Sequence, residues 1–202
     1  MTPEQKVLTF SKELAYINNT LVRSICSTAL SDTPDYFFEV PASSTGKYHP
    51  DYALGKGGLV RHTKAAMLFA SVLRTINPLL LSDYQLDITI AALILHDTRK
   101  LGMTDESKND YTRFDHPLLA AKAIREMYNF EEEFMLVDDF AREIHNIANY
   151  IAKCIEPHMG QWNTSKYFPA ISLPVPVQPI EHFVHMCDYL ASRKEFDVKN
   201  LM

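Results

Sequence analysis

Asp87-Ile88-Thr89-Ile90-Ala91-Ala92-Leu93-Ile94-Leu95 is nearly continuously apolar and runs straight into His96-Asp97. Its reading decides the fold, because an unbroken apolar run suits a buried strand or a helix buried on all sides, and periodicity does not separate the two. Ala91-Ala92 and the helical patterns on either flank favour helix. That choice makes the chain all-α, a single helical bundle. Thr98-Arg99-Lys100-Leu101-Gly102 then ends the helix.

Working outward, Leu59, Ala66, Phe69, Ala70 and Leu73 recur at helical spacing and Asn77-Pro78 closes that helix. Further upstream, Thr2-Pro3-Glu4 supplies an N-cap residue, a first-turn proline and an early acid. Val7, Leu8, Leu14, Ile17, Leu21, Val22 and Ile25 follow, which predicts one long first helix to about Leu30. From Ser31 to Gly58 prolines and glycines break the pattern, and a loop of this length in a compact domain is usually functional or mobile. Residues 1–58 therefore read as an N-terminal helix and loop packing on a core that spans 59–202. Downstream, Thr104 to Asp110 is a loop. Helices are predicted from Pro117 to Asn129, from about Met135 to Ile155 and from Ile180 to Lys194, with Pro157 and the run Pro169 to Pro179 between the last two. Glu131-Glu132-Glu133 reads as a solvated cap or linker.

Composition bounds the partners. At 202 residues and 47% hydrophobic content the chain can bury one ordinary core. A net charge of −5 argues against a broad basic surface that would hold long nucleic acid, and suits a small phosphorylated substrate better. Cys26, Cys154 and Cys187 are odd in number and lie far apart, as expected for free thiols in a reducing cytoplasm. Neither a basic patch with a following apolar h-region nor a run of about 18 apolar residues is present, so export and membrane insertion are not expected. Self-association stays open.

The residues that carry chemistry are His62, the His96-Asp97 doublet and Asp188. Imidazole nitrogens with carboxylate oxygens suit divalent manganese, iron, cobalt, nickel, zinc or magnesium. Adjacent helical residues point about 100° apart, so His96 and Asp97 can share one ion only where the helix is ending or packs against the other ligand helices. A hydrogen-bonded helix terminus is the alternative reading of the same pair.

In order, the chain reads Gly57-Gly58-Leu59-Val60-Arg61-His62-Thr63, then Leu95-His96-Asp97-Thr98-Arg99-Lys100-Leu101-Gly102, then Asp115-His116-Pro117. It goes on to Ile155-Glu156-Pro157-His158-Met159-Gly160 and His185-Met186-Cys187-Asp188-Tyr189. This string resembles the HD superfamily of metal-dependent phosphohydrolases over about Gly57 to Lys194. The resemblance implies a first ion on His62, His96, Asp97 and Asp188. Within the superfamily the chain is most similar to members with two extra histidines, among them HD-domain exoribonucleases, dinucleoside polyphosphate hydrolases and HD-GYP phosphodiesterases. That similarity implies a second ion on His116 and His158, bridged by Asp97. The GYP signature and the OB-fold are missing, and Pro157-His158 stands where a His-His pair is common.

The implied reaction is hydrolysis of a phosphoester of a nucleotide or other small substrate by metal-activated water. Asp97 and Lys100 are the catalytic candidates, Lys100 as the cation that neutralises a phosphate oxygen. Three alternatives stay open: a phosphodiesterase or 3′-5′ nuclease acting on short or cyclic nucleic acid, a di-iron oxygenase, and a nucleotide-binding regulator without turnover.

Ser43-Ser44-Thr45-Gly46-Lys47 is no P-loop, since Pro41 and Tyr48 stand where that motif needs glycine and Ser or Thr. Lys47 and His49 are nevertheless candidates to close over a phosphate just upstream of the first ligand helix. His145 and His182 read as packed or surface residues. His185 lies three residues before Asp188 on the same helix face and could support the site. Trp162 could stack a base or serve as an ordinary core aromatic.

Overall fold

The computed structural model describes residues 1–47, 49–129, 138–196 and 198. Among these residues there are eight α-helices and no strand; Thr164 and Ser172 form an isolated antiparallel bridge. The helices are α1 (Pro3–Thr9), α2 (Ser11–Leu14), α3 (Thr20–Ser31), α4 (Gly58–Ile76), α5 (Asp83–Leu95), α6 (His116–Met127), α7 (Asp139–Ile155) and α8 (Pro179–Ala191). The chain is all-α, as expected.

The ambiguous apolar run is the last part of α5, which starts at a capping box between Ser82 and Gln85. Every residue from Ile88 to Leu95 is at most 1% exposed, because α5 packs against α3, α4, α7 and α8. A helix buried on all sides has no polar face, and that is why its sequence carries no periodicity.

The single long first helix does not form. The chain makes α1, α2 and α3 instead, breaking at Phe10, whose ring is fully buried and stacks 6.1 Å from Phe37. It breaks again before Asn19, whose side chain caps α3 by accepting from Leu21 and Val22. Asp87 of α5, itself buried, fixes this second turn by accepting from the backbone N–H groups of Asn18 (3.0 Å) and Asn19 (2.7 Å). Phe10, Ile17, Leu30 and Phe37 share one buried cluster with Leu93 and Ile151, so the N-terminal segment packs its apolar side chains into the common core.

Two helix pairs frame α5. Helix α4 packs along α8 and α6 along α7. This brings His62 of α4 beside Asp188 of α8, and His116 at the start of α6 beside His158 just past the end of α7. The long segment before α4 holds 3-10 turns at Asp35–Phe38 and Asp51–Ala53. It enters α4 through Gly57, at φ +70°, and Gly58, where a Cβ would stand 2.2 Å from the Ala53 carbonyl oxygen. The expected helix from about Met135 begins at Asp139 among the described residues; Glu131-Glu132-Glu133 lies outside them. No described helix is long and apolar enough to cross a membrane.

Candidate metal centre

His96 caps the C-terminal end of α5, and Asp97 follows it in a turn. The helix ends where the doublet needs it to, so both side chains reach one buried space. Asp97 is 1% exposed and lies between two groups of side chains. Its Oδ2 faces His96 Nε2 at 3.4 Å and His62 Nε2 at 3.9 Å. Asp188 Oδ1 closes this first group, 2.9 Å from His62 Nε2 and 3.5 Å from His96 Nε2. Asp97 Oδ1 faces the other way, 3.0 Å from His116 Nε2 and 3.9 Å from His158 Nε2. The two imidazoles of this second group stand 3.2 Å apart, Nε2 to Nε2.

Three of the rings are held by one device. His96 Nδ1 contacts the Leu93 carbonyl (2.7 Å), His116 Nδ1 the Arg113 carbonyl (2.7 Å) and His158 Nδ1 the Ile155 carbonyl (2.8 Å). A carbonyl oxygen only accepts, so each Nδ1 carries the proton and donates it. In the neutral ring the lone pair is then on Nε2, the atom aimed into the cluster, as it is in metal-ligating histidines. His62 differs, because its Nδ1 is buried without a partner and its Nε2 is on Asp188.

These residues fit a divalent ion on their own chemistry. His96 Nε2 and Asp97 Oδ1 are buried and make no hydrogen bond, a costly state for polar atoms in a closed site. Two nitrogens bound to one ion at about 2.1 Å stand roughly 3.0–3.4 Å apart in octahedral or tetrahedral coordination, which matches the His116–His158 spacing. His62, His96 and Asp188 form one group able to hold a metal, and His96, Asp97 and His158 form another.

The buried charges of the cluster act on one another. Burial disfavours the charged form of His96, but Asp97 and Asp188 beside it outweigh that and raise its pKa to about 10. Burial also opposes ionisation of Asp97, yet Lys100, His96 and His116 keep its carboxyl well below the usual range. His158 goes the other way, lowered to about 3 by burial and by the neighbouring His96 and His116. Lys100 Nζ donates to Asp97 Oδ2 at 2.5 Å, so this lysine sits on the doublet itself.

His49 reaches the cluster, with its ring 5.3 Å from that of His62 and its Nδ1 buried without a partner. Burial and the charges of His62 and Lys100 lower its pKa to about 3. Lys47, on the same loop, is exposed. His185 supports the second group: its Nδ1 donates to the His158 carbonyl (2.7 Å) and its ring covers Gly160, where a Cβ would stand 2.3 Å from it. Its spacing from Asp188 was the available signal, but the contact with residue 158 arises only from the packing of α8. His145 bonds the Tyr128 carbonyl and His182 is exposed, both away from the cluster. Trp162 is half-exposed and stacks on Tyr189.

Comparisons with protein-family models, with curated proteins and with solved structures return no match for this chain.

Proposed function

We propose that the chain is a metal-dependent phosphohydrolase of the HD type, acting on a nucleotide or another small phosphoester. The observation that carries this reading is the division of Asp97, with Oδ2 toward His62 and His96 and Oδ1 toward His116 and His158. A carboxylate placed between two sets of imidazoles suits a bridge between two divalent ions, which when bound activate water and stabilise the oxygens of an in-line displacement at phosphorus.

The chain's own residues supply the rest. The carbonyls of Leu93, Arg113 and Ile155 fix three tautomers before any ion arrives, so little reorganisation is needed at the moment of reaction. Lys100 is within reach of the doublet and would offer its ammonium to a phosphate oxygen of a substrate bound there. His49 lies with its ring 5.3 Å from that of His62 and would help shield the site from bulk water.

Phosphate release from a panel of nucleotides and simple phosphomonoesters, with manganese, iron, cobalt, nickel, zinc and magnesium each added to chelator-treated protein, tests the reading. Turnover restored by one of these ions supports it. Absence of turnover on every ester, in protein shown to hold metal, rejects it in favour of a non-catalytic binding role.

A further inference from the structure

A cleft of about 610 Å³ opens between the segment Lys108–Asp115 and the residues Phe168 and Ile171. One wall is aromatic. Phe114 and Phe168 lie parallel to within 3° with centroids 6.0 Å apart; Phe168 is 46% exposed and Tyr111, at the rim, 71%. Such a part-exposed aromatic wall offers apolar ring surface against which a planar heterocycle could stack. Around it stand Lys108, Asn109, Asp110 and Thr112, which mix donors and acceptors suited to the edge of a heterocycle.

The cleft adjoins the metal centre. Arg113, part of its lining, accepts the Nδ1 proton of His116 through its carbonyl, so the cleft wall and a candidate ligand share one turn of chain. The loop before α4 touches both places. Ser44 Oγ accepts from the Thr112 N–H at 3.4 Å, and five residues later His49 lies against His62. Arg113 is turned toward Asp115 in a two-pronged pair, Nε–Oδ1 2.8 Å and Nη2–Oδ2 2.7 Å, which stiffens the wall rather than offering a free cation. A cleft with one aromatic wall and a polar rim, on the chain segment that leads into a candidate ligand, suits a base.

We infer that this cleft is the base subsite, which takes the nucleobase of a nucleoside phosphate by stacking on Phe168 and Phe114 while the phosphoryl group reaches the metal centre. The inference rests on the phosphohydrolase reading for the second half of that statement only; base binding stands or falls by itself. Stacking of one base on an aromatic side chain is worth a factor of roughly 10 or more in affinity.

The test is equilibrium binding by calorimetry of AMP, GMP, CMP, UMP and ribose 5-phosphate to metal-loaded protein, for wild type, Phe168→Leu and Phe168→Ala. Phe168 is on the surface, and the leucine variant keeps apolar bulk while removing the ring; unchanged thermal melting shows that folding is intact. At least one nucleotide should bind wild type about 10-fold or more tighter than ribose 5-phosphate, and both variants should lose that margin while holding ribose 5-phosphate as before. Nucleotides that bind no better than ribose 5-phosphate overturn the subsite, as does a margin that survives in both variants. Phosphate release measured alongside separates the two readings. Loss of the margin without turnover on any ester keeps the subsite and rejects the hydrolase, whereas equal turnover of nucleotides and ribose 5-phosphate in all three proteins does the reverse.

Discussion

His116 and His158 meet Nε2 to Nε2 at 3.2 Å, although 42 residues separate them in the chain. Each ring's other nitrogen donates to the carbonyl three residues back, Arg113 and Ile155, so neither can turn its proton inward without losing a bond. Two lone pairs held face to face repel unless a proton or a cation lies between them. His158, with its pKa near 3, resists taking the proton.

Replacement of Asp97 tests the centre of the site. Asp97→Asn keeps the shape but removes the charge from an atom pair that faces four histidines. Metal content measured by mass spectrometry should fall to less than about a tenth of wild type, with turnover lost alongside it. Normal metal content in this variant removes Asp97 from the ligand set.

Lys100→Met should give a different profile. The ammonium donates to Asp97 Oδ2, the position a cation would take, so its removal should leave metal binding equal to wild type or tighter. Turnover of a phosphoester should drop by about 10²-fold if the lysine neutralises phosphate charge in the transition state. A variant that loses metal instead assigns Lys100 to holding Asp97 in place.

The candidate ligands came from the resemblance of the ordered string His62, His96-Asp97, His116, His158 and Asp188 to the HD superfamily; spacing alone left the doublet open to a hydrogen-bonded helix end. The i−3 carbonyl contacts were not legible in the sequence, because they depend on the turn of the backbone where each helix ends or begins rather than on residue type. The division of Asp97 between two groups likewise needs the packing of α4 on α8 and of α6 on α7. For the fold, α5 was readable from Ala91-Ala92 and its flanks. The break of the first helix escaped, since the carboxylate that fixes the turn at Asn18-Asn19 comes from Asp87, 68 residues away. Tertiary bonds of this kind override a local helical pattern.

His185 should matter without touching an ion. Its Nδ1 holds the carbonyl of His158, and its ring packs on Gly160, which sits at φ +55°. His185→Ala should weaken binding of the second metal equivalent about 10-fold while the first is unaffected, as read by competition with a chelating dye. Gly160→Ala, strained both in backbone and against that ring, should cost about 1–3 kcal/mol in urea unfolding. Equal weakening of both equivalents in His185→Ala points to general loosening of the site instead.

Acid stability has one identifiable source far from the metal centre. Asp35 accepts from the buried Lys6 ammonium at 2.8 Å, which holds its carboxyl below the usual range. A lowered carboxylate pKa contributes stability that is present above the unfolded value near 4 and is lost as pH falls through the folded one. Asp35→Asn should therefore lower the melting temperature at pH 7, and the loss should shrink as pH falls below about 4. A loss that stays constant from pH 7 down into the acid range assigns the effect to packing, not charge.

Metal stoichiometry decides between a binuclear and a mononuclear centre. The first group, His62, His96 and Asp188, has one carboxylate of its own and draws on Asp97 Oδ2; the second, His116 and His158, has only Asp97 Oδ1. The second ion therefore depends on the first group's neighbour for its negative charge, and it should be the weaker of the two. Titration of chelator-treated protein with manganese should show two equivalents in separate steps. His116→Ala and His158→Ala should each abolish the weaker step and leave the tighter one, because each removes one of two neutral nitrogens and no charge. His62→Ala should weaken the tighter step instead. Wild type that saturates at one equivalent, with His116→Ala unchanged, makes the centre mononuclear, and the close His116–His158 approach then needs a proton, not a metal, to hold it.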